Sequence, residues 1–303
     1  MTGAHALPAA RNFLGIESPW CDIESARVVV LSVPFERTSS YGTGSCDGPQ
    51  AIIQASHQVE FFDAALGFEP YKTAPGIATL PPMAVAGAEG AAVADKLRRE
   101  VEHWIKHQRF VVTLGGEHTS IVGAIHAHVA CYHDVTVLQF DAHSDLRPEY
   151  QGDPWSHASA MARVLDFHNG LVQVGIRSQS LEERAIADAR GLPVFYAEAI
   201  HNADRTSTDW VDDIVAACHE HVYITFDCDA FDPSVVPATG TPEPGGLTWH
   251  QVNTLIRRIC AARRLIGFDV NELSPADGLS QSEYAAAKLV YRLIGLRFPA
   301  ERC

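Results

Sequence analysis

Short apolar runs rich in Val, Ile, Leu and Phe recur along the chain. Each is followed by a longer stretch in which apolar residues return every three to four positions. The runs predict strands at 28–34, 110–114, 135–141, 171–176, 193–196, 222–227 and 265–270. Most are unbroken rather than alternating, as expected when both faces of a parallel sheet are covered. The intervening spacing predicts helices at 49–62, 91–107, 119–132, 158–167, 181–189, 210–219, 248–263 and 282–296. Strand–helix alternation over the whole length reads as an α/β fold with a largely parallel sheet. No repeat or Pro/Gly-rich linker divides it, so residues 1–303 are expected to form one domain. Residues 1–26 are an N-terminal extension of unassigned role.

Composition narrows this picture. Of 303 residues, 47% are apolar and 20% charged, which excludes a disordered chain or a coiled coil. Lys and Arg number 23 against 37 Asp and Glu, a net charge of −14. Such an acid excess argues against a nucleic-acid partner, whose phosphates call for clustered Lys and Arg. Seven cysteines without a C-x-x-C spacing read as reduced thiols rather than a disulfide framework or a zinc ribbon. No basic-then-apolar leader opens the sequence, and no run approaches the ~18 apolar residues of a membrane span. The expectation is a cytoplasmic protein with no membrane partner.

In a parallel sheet, ligands bind beyond the carboxyl ends of the strands. The run 110–114 leads into Gly115-Gly116-Glu117-His118, where the glycines permit a sharp turn. The run 135–140 leads into Asp141-Ala142-His143-Ser144-Asp145. On an extended backbone that spacing turns Asp141, His143 and Asp145 the same way. Asp227-Cys228-Asp229 repeats the spacing after the next long run, and Asn271-Glu272 follows 265–270. A lone Asp after a strand usually makes a turn or a cap, but capping does not call for acidic pairs at two strand ends together with histidines. Four converging aspartates repel one another unless cations sit among them, and two divalent ions supply the matching charge. Hard oxygen with two imidazoles and no sulfur suits Mn²⁺ better than a structural Zn²⁺. Two such ions lower the pKa of a shared water, which points to a hydrolase.

Asp232, before Pro233, reads as a turn former. The remaining histidines fall on helices, helix ends or loops without acidic partners, except His157. It follows the metal-ligand stretch at the start of a helix, where a histidine can move protons near pH 7.

Gly-Gly-Glu-His at 115–118, Asp-Ala-His-Ser-Asp at 141–145 and Phe-Asp-Cys-Asp-Ala-Phe-Asp-Pro at 226–233 resemble the ureohydrolase family of arginases and agmatinases. Further likeness lies in 238–248 and in Phe-Asp-Val-Asn-Glu-Leu-Ser-Pro at 268–275. The resemblance implies a three-layer α/β/α sandwich, two Mn²⁺ per chain and a homotrimer or homohexamer. It implies one metal on His118, Asp141, Asp145 and Asp227, and the other on His143, Asp141, Asp227 and Asp229. It further implies that Asp145 relays a proton to the leaving amine, that His157 exchanges protons with solvent and contacts substrate, and that Glu272 grips the guanidinium group.

Within the family, Asp-Leu-Arg-x-Glu-Tyr-x-Gly at 145–152 is similar to bacterial and archaeal agmatinases. So is Thr-Ser-Ser-Tyr-Gly-Thr-Gly at 38–44. The expected substrate is therefore agmatine, cleaved to putrescine and urea, with Glu149 and Asp153 receiving its distal ammonium. The alternative is a guanidino acid or arginine, with Arg147 as the carboxylate clamp. Arg147 is otherwise expected to pair with Glu149 or to cap a helix.

Overall fold

A computed structural model of the chain describes residues 5–203 and 209–300; Cys303 and residues 1–4 of the N-terminal extension lie outside the described residues. Its strands are β1 (Val28–Val33), β2 (Ile77–Thr79), β3 (Phe110–Gly115), β4 (Val135–Phe140), β5 (Leu171–Ile176), β6 (Val194–Tyr196), β7 (His221–Asp227) and β8 (Arg264–Asn271). They lie in the order β2-β1-β3-β8-β7-β4-β5-β6, and every neighbouring pair is parallel. The helices are α1 (Gly48–Ser56), α2 (Pro70–Thr73), α3 (Gly90–Lys106), α4 (Val122–Cys131), α5 (Ala160–Leu165), α6 (Leu181–Arg190), α7 (Ala197–Asn202), α8 (Asp209–Ala217), α9 (Trp249–Ala262) and α10 (Ser280–Arg297).

Alternate residues of each strand feed two separate cores. Val28, Val30, Val112, Leu138, Ile224 and Phe268 face α1, α8, α9 and α10 on one side. Val29, Leu31, Val111, Val137, Tyr223 and Ile266 face α3, α4 and α5 on the other. Because both faces are covered, apolar residues dominate both faces of the strands, and this is why they read as nearly unbroken runs. The result is the expected three-layer α/β/α sandwich. Among the described residues, no helix is long and apolar enough to cross a membrane.

The differences from expectation have local causes. β2 is three residues long, too short to stand out as a run, and its Thr79 carbonyl takes the Leu7 N–H at 2.7 Å. The N-terminal stretch thus lies along the sheet edge, with Phe13 and Leu14 buried. α1 stops at Ser56, six residues short of position 62. The Ser56 hydroxyl bonds back to the Ile53 carbonyl and receives the Leu14 N–H, so the N-terminal stretch docks at the helix end. Phe61 and Phe62, apolar enough to suggest a longer helix, are surface residues instead.

Register decides where the strands deliver their side chains. Leu114, Val270, Phe226 and Phe140 are level across β3, β8, β7 and β4. One residue further on, Gly115, Asn271, Asp227 and Asp141 therefore form a row at the carboxyl edge of four adjacent strands. The chain crosses to the far half of the sheet after β3 and returns with β7 and β8 to fill the gap, leaving a crevice at that edge.

His128 on α4 is wholly buried. Its Nδ1–H donates to the Ala124 carbonyl at 2.8 Å, while Nε2 faces Gly267 without a partner. Burial pushes its pKa down to about 4. The unfolded chain takes up this proton near pH 6.5 and the folded chain does not. The neutral ring's stabilising contribution is therefore complete above pH 6.5 and lost as pH falls toward 4, a change of about 3 kcal/mol. Chemical denaturation of wild type and His128→Leu across that range should show a steeper acid loss in wild type. Parallel curves would contradict the assignment.

Candidate metal centre

The turn after β3 is built for close approach. A Cβ on Gly116 would meet the Phe35 carbonyl oxygen at 2.1 Å, and one on Gly115 would meet Ser120 Oγ at 2.7 Å. Only glycine lets the chain turn there and present His118 at the start of a 3₁₀ turn, His118–Ile121. The other two ligand stretches depart from the extended form expected of them. Asp145 reaches the site through a left-handed residue, φ +54°, and Cys228–Ala230 coil into a 3₁₀ turn. Cys228 packs into the apolar core, away from any ligand role.

These turns bring the expected ligands together. His118 Nδ1 lies 3.1 Å from Asp141, 2.9 Å from Asp145 and 3.6 Å from Asp227 carboxylate oxygens. His143 Nδ1 lies 3.0 Å from Asp229 and 3.7 Å from Asp141. The donors converge as two groups, His118–Asp141–Asp227 and Asp141–His143–Asp229, which share Asp141. The carboxylates are held from behind. Gln139 Nε2 donates to Asp141, the His143 amide to Asp141, the Asp229 amide to Asp227 and the Ala142 amide to Asp229.

The donor chemistry fits cations. The Thr225 hydroxyl donates to Asp269 Oδ1 at 2.9 Å and so accepts from His118 Nε2 at 3.0 Å. That fixes the tautomer, leaving the Nδ1 lone pair facing carboxylate oxygens with no hydrogen-bond partner of its own. Acceptor meets acceptor, an arrangement that a cation satisfies. The titration pattern agrees. Burial and the neighbouring Asp229 and Asp141 push Asp227 well up, and burial with Asp141 pushes Asp145 up to about 7. His143 opposes its own burial, held up to about 12 by Asp229 and Asp141. Protons thus accumulate where positive charge is wanted.

Beside the donors opens a cavity of about 270 Å³ lined by His143, Asp145, Asp227, Glu272, His157 and Arg147 among others. Glu272 has a left-handed backbone, φ +58°, and its Oε1 receives the His118 N–H at 2.6 Å. His157 is held by Thr38, whose Oγ1 accepts the His157 amide at 2.9 Å and lies 3.2 Å from Nδ1. Ser40 Oγ stands 3.3 Å from Nε2. Thr38 is anchored in turn by the buried Glu117, which accepts the Arg37 and Thr38 amides and the Thr38 hydroxyl. Burial lowers the His157 pKa, so the ring is neutral near pH 7.

Glu149 and Asp153 are not brought to this cavity. Glu149 is exposed on its loop. Asp153 accepts the Trp155 amide and pairs with Arg37, which also pairs with Glu89. Arg147 does line the cavity but pairs with neither Glu149 nor a helix end. It lies 3.6 Å from Glu183 and over the Tyr150 ring. Asp232 is a turn former as expected, accepting the Ser234, Gly245 and Gly246 amides. Sequence reasoning missed Thr38, Ser40, Glu183, Thr225 and Asp269. The i, i+2 spacing of Thr225 and Asp227 on one strand was the available signal for Thr225.

A family model described as the arginase family matches residues 26–295. The chain is 36% identical to an N(1)-aminopropylagmatine ureohydrolase of Synechocystis, over 89% of each chain. It is 38% identical to one of Thermus thermophilus, over 90% of this chain and 91% of that one. The crystal structure of an agmatine ureohydrolase of Thermoplasma volcanium superposes with a TM-score of 0.81 at 31% identity, covering 90% of each chain. The chain belongs to the arginase family. Within it, the protein is an agmatinase-like ureohydrolase, and its two His/Asp groups match the binuclear metal hydrolysis of that family.

The Thr225 hydroxyl orients His118 without touching the cavity. Replacement by the isosteric Val should weaken metal binding by ~10–100-fold in a chelator competition, with the fold unchanged by circular dichroism. Unaltered affinity would remove Thr225 from the account.

Proposed function

We propose that the protein hydrolyses the guanidinium group of a linear guanidino-amine, releasing urea and a polyamine. The observation that carries this is the pairing of two metal-ready groups that share Asp141 with Glu272 on the wall of one cavity. His118, Asp141, Asp145 and Asp227 would hold one ion, and His143, Asp141, Asp227 and Asp229 the other. Oxygen-rich donors with imidazole favour Mn²⁺. When bound, two divalent ions supply positive charge and lower the pKa of a shared water.

The chain's own residues do the rest. Glu272 holds the planar guanidinium by charge-assisted hydrogen bonds. Water adds to the guanidinium carbon, and the bond from that carbon to the substituted nitrogen breaks. Asp145 carries one proton of that water to the departing amine and the second follows on collapse, so the products are urea and an alkylammonium ion. His157, held neutral and steady by Thr38 and Ser40, exchanges protons with solvent.

The tail of the substrate is read from charge. With the aspartates engaged by metal and Glu272 by the guanidinium, Glu183 is the carboxylate left on the wall, and it lies 3.6 Å from Arg147. Arg147 is already paired with Glu183, which disfavours a substrate carboxylate. The relatives at 36% and 38% identity support N(1)-aminopropylagmatine ahead of agmatine, with spermidine rather than putrescine as the amine product. A homotrimeric or homohexameric assembly belongs to the same proposal and rests on the family resemblance.

Urea release by Mn²⁺-loaded protein should be fastest per KM with N(1)-aminopropylagmatine, then agmatine, and weak with arginine and guanidinobutyrate. Glu272→Gln should lower kcat/KM by about 100-fold or more, since a buried charge partner is lost. Preference for guanidinobutyrate would overturn the reading of the tail. No urea from any of the four in protein holding two metals would overturn the reaction.

A further inference from the structure

A second cavity lies at the opposite, amino-terminal edge of the sheet. Its volume is about 320 Å³, and Arg27, Arg109, Arg264 and Arg297 all line it. The topology places them there: Arg27 and Arg109 immediately precede β1 and β3, Arg264 opens β8, and Arg297 ends α10. β1, β3 and β8 are adjacent strands, so three arginines stand at three neighbouring strand starts.

Four guanidinium groups gather here in a chain of net charge −14. Eight other arginines each pair with a carboxylate. Among the described residues these four pair with none, and no acidic residue lines the cavity. Among the described residues the Arg109 guanidinium donates to the Ile23 and Glu24 carbonyls, and its Nε is buried without a partner. Arg297 Nε is likewise buried and unpartnered, with the guanidinium lying over the Phe110 and Phe298 rings. Burial, followed by the charges of Arg264 and Arg27, holds Arg297 below its ordinary pKa. An arrangement of like charges with buried donors left over is satisfied by an anion, and the guanidinium fork matches tetrahedral oxyanions.

We propose that the cavity formed by Arg27, Arg109, Arg264 and Arg297 binds a small multiply charged oxyanion of the phosphate type, away from the metal centre. The site is distinct in place and in chemistry from the guanidino-binding cavity. Its occupant bridges the strands β3 and β8, whose far ends carry His118 and Glu272.

Isothermal titration of the metal-loaded protein with inorganic phosphate, at constant ionic strength, should reveal a saturable site that chloride does not reproduce. The double variant Arg27→Gln/Arg264→Gln replaces two exposed side chains and should keep wild-type urea release while losing phosphate affinity at least tenfold. Arg264→Lys, which keeps the charge and loses the fork, should fall between them. Equal affinity in wild type and the double variant would assign the phosphate to the metal centre or to general surface charge and overturn the proposal. So would an absence of saturable binding. A double variant whose assembly dissociates, without phosphate binding in wild type, would make the cluster a contact between copies and overturn it too.

Discussion

Mutual repulsion among carboxylates is the constraint from which the rest of the architecture follows. Asp141, Asp145, Asp227 and Asp229 are all buried, within reach of one another, at the ends of two adjacent strands. Water cannot screen them there, and they ionise together only with positive charge in their midst. His143 supplies some of it in the protein alone. The geometry is that of a cation site, with a tautomer-fixed imidazole whose lone pair has no hydrogen-bond partner. Backbone amides hold Asp141, Asp227 and Asp229 from behind. The amides of Ala142, His143 and Asp229 do so.

Two of the left-handed non-glycine residues stand at the proposed site. Asp145 and Glu272 both occupy left-handed backbone, unusual for residues with a Cβ, and each is thereby turned from its strand direction toward the cavity. Buried surroundings enforce this. The Glu272 amide donates to the Gly116 carbonyl while its carboxylate receives the His118 amide, so β3 and β8 lock each other's ends. The loop that steadies His157 depends on carboxylates as well. Glu117 collects the amides of Arg37 and Thr38, and Glu36 those of Gly44 and Cys46. The geometry of this loop is thus set by carboxylates that do not line the cavity.

The sheet was legible because a parallel strand covered on both faces leaves an unbroken apolar run, and seven of its strands stood out that way. β2 did not, being three residues long and recognisable only from its pairing with β1. The ligands were legible because Asp and His at strand ends are chemically conspicuous. Their local backbone was not: the alternation expected at 141–145 gives way at Asp145, where tertiary contacts override the strand period. Glu149 and Asp153 were plausible by charge, but Arg37, distant in sequence, claims Asp153. Thr38, Thr225 and Glu183 share their residue types with many positions that carry no such role. Only the three-dimensional neighbourhood tells them apart. Glu183, within the helix expected at 181–189, serves a capping box with Ser180 while its side chain faces the cavity and Arg147.

The central claim is that these turns form two cation sites joined by Asp141. Anomalous diffraction from crystals grown with Mn²⁺ tests it most directly. The account predicts two peaks, one among His118, Asp141 and Asp227 and the other among Asp141, His143 and Asp229. A single peak, or none at saturating Mn²⁺, would contradict it.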